Sequence, residues 1–311
     1  MAFISVIIPL YNKQDYICAT LNSALAQTFT DFEIIIINDG SSDGSEAIVK
    51  KFNDARIIYV KTDNKGVSAA RNNGINRAKG KVIAFLDADD IWEKQHLQTL
   101  YDLYVKYPEA GMLASRYTIK IGKGKLLKPV LLNVPDDFEG IVADAFEASL
   151  VYRLAVTSAV AVPKYVFDKI GTFNEQVTHP EDTELWIRIG IAYAVAISNA
   201  YTMVYTFDLP ESWSRQKMKG RKIMDFDKFI NEEKGNKSLK AFVDIYRLEY
   251  ALKYRLEGEI LHSQTLYSKV AAENISRKTR LLFKVPPFTL RALLRLKHWL
   301  HKKGISFSVY N

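Results

Sequence analysis

Three runs of strand length constrain this chain most, because each is largely apolar and each stops abruptly at polar groups. Residues 3–10 read FISVIIPL and lead into Tyr11 and Asn12; residues 32–37 read FEIIII and lead into Asn38 and Asp39; residues 81–86 read KVIAFL and lead into Asp87 and Asp89. Short runs rich in β-branched residues predict strands buried on both faces. A further strand is expected over 56–61, and helical patterns over 14–27, up to about 52, over 67–78 and over 93–107 alternate with the strands. That alternation predicts a mostly parallel central sheet with helices on both faces, an α/β fold. Ligands of such sheets gather at the carboxyl ends of the strands. Three of the predicted strands therefore present polar ends on one rim.

Farther along, the pattern changes to α+β. Residues 112–121 and 125–132 predict a hairpin around 122–124, residues 155–162 a strand, and residues 195–207 the last strands. A helix is expected over 181–192, with Pro180 at its start, where a missing N–H costs little. Strand signals stop near 225. One long helix is predicted over 238–261, shorter helices follow, and a last helical run over 288–303 resumes after Pro286 and Pro287. The expected division is a catalytic domain over 1–220 and a helical, basic region over 221–311.

Composition excludes several classes. Of 311 residues, 48% are hydrophobic and 25% charged, an ordinary globular balance. One cysteine, Cys18, allows neither an internal disulfide framework nor a cysteine zinc site, and fits a reducing compartment such as the cytoplasm. The first twelve residues read as a buried strand rather than a signal peptide. No uncharged apolar run reaches the length of a membrane span. The net charge of +8 is uneven: residues 274–311 hold nine Lys or Arg and no Asp or Glu, which implies an anionic partner.

The segment LDADD at 86–90 carries the sharpest chemistry. Side chains alternate along a strand, so if strand geometry persists through this segment Asp87 and Asp89 point the same way, and two carboxylates at one strand end favour a cation beside them. Mg²⁺ or Mn²⁺ fits, because such an ion takes one or two carboxylates and completes its shell with phosphate oxygens and water. Asp90 reads as a cap for the next helix. Asp39 can accept hydrogen bonds from a base or a ribose, or merely hold a turn. Tyr11, after Pro9, offers a ring face for a base, or is a buried tyrosine with a satisfied hydroxyl. Arg71 lies in a helix that opens with small residues, where an anion is favoured; a structural ion pair is the plainer reading. Glu181 and Asp182 open a helix whose dipole favours acids, and a carboxylate there can also deprotonate a hydroxyl.

Taken together, VIIPLYN (6–12), INDGSSD (37–43), NKGVSAARN (64–72), FLDADD (85–90), VFDKIGTFNE (166–175) and the pair Glu181-Asp182 followed by LWIR (185–188) resemble family 2 of the inverting glycosyltransferases. The resemblance covers about residues 3–210. It implies the GT-A fold, with a nucleotide-binding half at 1–110 and an acceptor half at 111–220. It implies an activity of the kind that builds bacterial surface polysaccharide. Pro9 and Tyr11 would line the base pocket, Asp39 would hold the base, usually uracil, and Asp87 would contact the ribose. Asp89 would bind Mg²⁺ or Mn²⁺, Arg71 would lie near the nucleotide, and Asp182 would be the base, with Glu181 beside it. Thr157 and Ser158 would approach the sugar or the acceptor, and Trp213, Ser214 and Arg215 would sit on a closing loop. The implied partners are a nucleotide-sugar donor, UDP-linked by preference, and a glycan or lipid-linked acceptor.

The basic tail at 277–304 interleaves Leu, Phe and Trp with Lys and Arg, a pattern for an anionic membrane surface on the inner face of the cell membrane. Packing on the catalytic domain or on a second copy of the chain is the competing reading. Nucleic acid is not expected, since no base-reading motif accompanies the basic residues. Two other readings of the acids stay open: a sugar nucleotidyltransferase, disfavoured by Tyr11-Asn12-Lys13 where a glycine-rich loop belongs, and a nucleotide-binding scaffold without catalysis.

Overall fold

A computed structural model describes residues 2–121, 124–206, 218 and 220–292. The chain divides into two compact units, Met1–Arg215 with Arg221–Asp225, and Gln216–Gly220 with Phe226–Asn311.

The first unit opens with β1 (Ile4–Leu10), α1 (Ile17–Leu25), β2 (Phe32–Asp39), α2 (Ser45–Val49), β3 (Ile57–Thr62), α3 (Val67–Arg77) and β4 (Val82–Phe85). It continues through β5 (Ile91–Trp92), α4 (His96–Lys106), β6 (Ala110–Ile121), β7 (Lys125–Leu127), β8 (Gly140–Ile141) and α5 (Ala145–Ala148). A 3₁₀ turn at Thr157–Ala159, β9 (Val160–Pro163), α6 (Lys164–Ile170), α7 (Glu181–Ala192) and β10 (Ala194–Thr206) complete it. The strands form one sheet in the order β3-β2-β1-β4-β9-β6-β10-β5, with β7 on β6 and β8 on β10. β1 pairs in parallel with both β2 and β4, and β2 with β3, so these four strands end on the same rim.

Alternation along the strands builds the two faces. Ile4, Val6, Ile8, Leu10, Ile34 and Ile36 pack in one apolar cluster, whereas Ile7, Ile35 and Ile37 pack in the other. Period-two burial on both faces is what a sheet covered by helices on each side requires. α3 lies close against β1: a Cβ at Gly74 would stand 2.5 Å from Ile7 Cγ2.

Four local expectations need correction. The strand expected over 155–162 is Val160–Pro163 only, because Thr157–Ala159 turns as a 3₁₀ helix whose hydroxyls serve acidic partners. The return strand of the hairpin stops at Leu127. The run predicted over 195–207 is, among the described residues, not several strands but one, Ala194–Thr206, with register shifts against β6. Asp90 caps no helix; it is buried and precedes the short strand β5.

The second unit is helical. It contains α8 (Ile230–Gly235), α9 (Lys237–Glu257), α10 (Ile260–Ser268) and α11 (Arg277–Lys284). The single helix predicted over 238–261 ends at Glu257, where Gly258 takes a left-handed conformation (φ 93°) that closes α9 before α10 begins. Asn236 opens α9 by accepting a hydrogen bond from the Leu239 amide. Arg247, 1% exposed, is held by Glu233, Asp244 and the Phe226 carbonyl. The helical run predicted over 288–303 is described only as far as residue 292, within a helical stretch that starts at 287. Among the described residues no helix is long and apolar enough to cross a membrane.

Candidate active site

The site begins where β1 and β2 end side by side. Tyr11, 41% exposed, stands just beyond β1, two residues after Pro9. Asn12 adopts positive φ (49°), which asparagine tolerates better than most residues. Its side-chain oxygen accepts the Ser42 amide at 2.8 Å and its own amide donates to Ser41 Oγ at 3.1 Å, so the two loops are stitched together. Asp39, 4% exposed, accepts the Lys65 and Gly66 amides at 2.8 Å each. It thereby fixes the entry to α3, which Gly66 makes with φ 94°. Asp39, Thr62, Asp63, Lys65, Ala70 and Asn73 are among the residues lining a cleft of about 280 Å³.

The acids of 87–90 are partnered separately. Asp87 Oδ1 accepts Arg71 Nη2 at 2.7 Å, and the Asp87 amide donates to Ser158 Oγ at 3.0 Å. Asp89 Oδ2 lies 2.6 Å from Lys13 Nζ. Asp90 accepts Ser158 Oγ at 2.6 Å and the Thr206 amide at 3.2 Å. Burial pushes the carboxyls of Asp89 and Asp90 above the usual carboxylate range. Neighbouring acids add to that in both, while Lys13 opposes it at Asp89.

Arg71 joins this cluster to the start of α7. Its guanidinium is 4% exposed and also donates to Glu181 Oε1 at 2.9 Å, so one cation bridges Asp87 and Glu181. Burial, then the charge of Asp182, pushes Glu181 up to about 7 against the pull of Arg71. Asp182 accepts Thr157 Oγ1 at 3.0 Å and the Thr183 amide at 2.6 Å, which orients its carboxylate. Tyr205, near the end of β10, feels the whole set: burial raises its phenol far above 10, and Asp90, Asp87, Asp89 and Asp182 raise it further, in that order.

The structure thus gathers Asp87, Asp89, Glu181, Asp182 and Arg71 around one place. Pro9, Tyr11 and Asp39 lie at the adjoining strand ends, tied in through α3 and the loop that carries Lys13. Ser158, expected near the sugar or the acceptor, is fully buried, with its hydroxyl bonded to Asp90 and to the Asp87 amide. Thr157 is buried too, with its hydroxyl donating to Asp182. Trp213, Ser214 and Arg215 lie outside the described residues. Lys13 and Tyr205 were not anticipated. Lys13 had only its position beside Tyr11 and Asn12 as a signal, and Tyr205 had none.

Among the described residues no group of three or more His, Cys, Asp or Glu side chains is arranged to hold a metal. A divalent ion shared with phosphates does not need three protein ligands. Asp89, with Asp87 beside it, offers hard carboxylate oxygens in a site whose burial and mutual repulsion favour an added cation, so the residues fit Mg²⁺ or Mn²⁺.

A sequence model described as Glycosyl transferase family 2 matches residues 5–146. The Escherichia coli protein named UDP-Glc:alpha-D-GlcNAc-diphosphoundecaprenol beta-1,3-glucosyltransferase WfaP is 48% identical over 193 residues, which cover 61% of this chain and 70% of that protein. The chain belongs to glycosyl transferase family 2. Two further relatives of this glycosyltransferase share less of their length with it. Glycosyltransferase GlyA of Streptococcus pneumoniae is 39% identical over 39% of this chain and 18% of its own. An uncharacterized glycosyltransferase of Rickettsia prowazekii is 31% identical over 60% of this chain and 58% of its own. Among solved structures, S. aureus TarS 1-349 in complex with UDP-GlcNAc superposes with a TM-score of 0.65 at 16% identity. That match covers 98% of this chain and 93% of TarS 1-349, and it supports the GT-A fold.

Proposed function

We propose that this glycosyltransferase moves a sugar, with inversion, from a UDP-sugar to a hydroxyl of a lipid-linked or glycan acceptor. The product would serve surface polysaccharide. One observation carries the reading: acids from two distant stretches, 87–90 and 181–182, surround one place at the sheet rim and are joined by Arg71. The donor class is supported by the name of WfaP and by TarS structures that hold UDP and UDP-GlcNAc. The acceptor class is supported by the diphosphoundecaprenol in the name of WfaP. In this reading residues 1–110 hold the donor, with Pro9, Tyr11 and Asp39 at the base and Asp87 at the ribose, and residues 111–220 receive the acceptor.

Asp182 takes the proton of the acceptor hydroxyl as its oxygen attacks the anomeric carbon. Thr157 and the Thr183 amide keep its carboxylate aimed. Arg71 holds Asp87 and Glu181 in place, so the donor side and the base side keep a fixed separation. Glu181, its carboxyl raised to about 7, limits the negative charge that crowds Asp182 near neutrality. Asp89 would hold a divalent ion, which would supply positive charge against the leaving diphosphate. No side-chain nucleophile is required, since one displacement inverts the centre.

Exposed Leu281 and Phe288, set among Arg277, Lys278, Arg280 and Lys284, support contact with an anionic membrane, where a lipid-linked acceptor resides. The direct test combines donor and base. A panel of nucleotide sugars with Mn²⁺ should single out a UDP-sugar by thermal stabilisation. With that donor, Asp182→Asn should lose roughly 10²–10⁴-fold in turnover and keep donor affinity. Near-normal turnover by that variant removes Asp182 as the base.

A further inference from the structure

The three carboxylates of 87–90 have partners of different kinds. Arg71, which holds Asp87, is 3% exposed and is tied to Glu181 as well. Ser158 and the Thr206 amide, which serve Asp90, are neutral. Lys13 is a compact cation on a flexible stem, reaching Asp89 from the loop between β1 and α1, 76 positions away in sequence. The Lys13 and Asp89 side chains are 21% and 20% exposed, so the pair is not sealed from solvent.

The Lys13 backbone is fixed independently of its ammonium group. Its amide donates to Ser45 Oγ at 2.9 Å, and its carbonyl accepts the Tyr16 and Ile17 amides at 3.0 and 2.9 Å. The loop is therefore held by its backbone, whatever partner the ammonium group has.

We propose that Lys13 is a built-in counter-cation: it occupies Asp89 in the donor-free enzyme, gives way to the divalent ion, and turns to the diphosphate that arrives with that ion. This rests on the reading of Asp89 as the metal ligand. Asp87 and Asp89 stand two residues apart beyond β4, and a carboxylate with another acid beside it is costly to leave without a cation. Lys13 supplies one before the donor binds. An ammonium 2.6 Å from a carboxylate oxygen and a divalent ion on the same carboxylate repel strongly where the dielectric is low, so one displaces the other. The displaced ammonium is a mobile point charge suited to phosphate oxygens. Two consequences follow from the exchange. The metal alone binds weakly because it competes with Lys13, and metal and nucleoside diphosphate bind cooperatively because the diphosphate receives the displaced charge.

The experiment uses full-length protein and three variants: Lys13→Met, which keeps the stem, Lys13→Gln as a second neutral replacement, and Asp89→Asn. Mn²⁺ binding without nucleotide is read from the electron paramagnetic resonance of the free ion. UDP affinity at saturating Mn²⁺ is read by calorimetry, and circular dichroism melts establish folding. Lys13→Met is expected to bind Mn²⁺ about tenfold more tightly and UDP about tenfold more weakly, within the ordinary span of couplings between two ligands. Mn²⁺ affinity unchanged or weakened in the neutral Lys13 variants, or UDP affinity unchanged, overturns the exchange. If Asp89→Asn loses Mn²⁺ in the same series, the exchange alone has failed. If Asp89→Asn binds Mn²⁺ as the parent does, the ligand reading has failed and the exchange with it.

Discussion

Replacing Glu181 by Gln isolates one electrostatic cost that the active site carries. In the folded protein burial, reinforced by Asp182, lifts this carboxyl from 4.5 to about 7. Below pH 4.5 it is protonated whether the chain is folded or not, so it contributes nothing to the pH dependence there. Between 4.5 and about 7 the unfolded chain releases the proton while the folded chain keeps it, so stability falls as pH rises; above about 7 the cost is constant. At about 1.36 kcal/mol per pH unit, the interval between 4.5 and about 7 amounts to about 3 kcal/mol. The side chain is 12% exposed, so solvent screening takes little from that figure. Asp89 and Asp90 are also raised, mainly by burial, and add to the same downward slope, but they do so in both proteins and drop out of the difference. In Glu181→Gln, Arg71 keeps Asp87 at 2.7 Å and retains a side-chain oxygen where Glu181 stood. Urea unfolding at pH 5, 6, 7 and 8 should therefore give a flatter stability profile for Glu181→Gln, by between about 2 and 3 kcal/mol over the range, since part of the change lies below pH 5. Parallel profiles for the two proteins would mean that Glu181 ionises as an ordinary carboxyl, and the electrostatic account of the pair would be wrong.

Arg71→Met should lower unfolding free energy by about 3–5 kcal/mol, because it strands two carboxylates that share one buried guanidinium; denaturant titration checks this. Gly74→Ala should destabilise by about 1–3 kcal/mol despite alanine's better helix propensity, since its Cβ would press on Ile7, which is fully buried in β1; a fall in melting temperature is the readout. The pair Leu281→Glu and Phe288→Glu, at 62% and 68% exposure, should leave the fold intact and abolish sedimentation with vesicles containing anionic lipid. Undiminished sedimentation would favour an electrostatic or unrelated attachment.

The parts of the fold that were legible are those where local pattern and tertiary role coincide. Every residue of β2 is buried, and its isoleucines announce that without any knowledge of neighbours. α7 runs from Glu181 to Ala192 as read, because Pro180 and the acids after it mark a helix start that no later packing contradicts. The misreadings occur where a side chain serves a distant partner. Thr157 and Ser158 have the composition of a strand, yet their hydroxyls are drawn to Asp182 and Asp90, and the backbone turns there instead. Asp90 looks like a cap by its place in LDADD, but Ser158 and Thr206 claim it from across the sheet. Gly258 is a small residue inside an otherwise helical run, and its left-handed conformation divides what periodicity joins.

Distance in the chain limits the reading of the site in the same way. Sequence can nominate Asp87, Asp89 and Asp182 because carboxylates at strand and helix ends are recognisable from their own surroundings. It cannot nominate Tyr205 as their neighbour, because β10 reaches β4 only through β6 and β9 in the sheet order, and nothing near Tyr205 in the sequence records that order. Lys13 is the converse case. It lies beside a conspicuous motif, but its role depends on an acid 76 residues later, brought near only because β1 and β4 pair in parallel from Ile4 with Val82 to Ile7 with Phe85. Lys13 and Asp89 lie in the loops that follow these paired strands, so their meeting depends on the register, and a slip of one residue between β1 and β4 would part them.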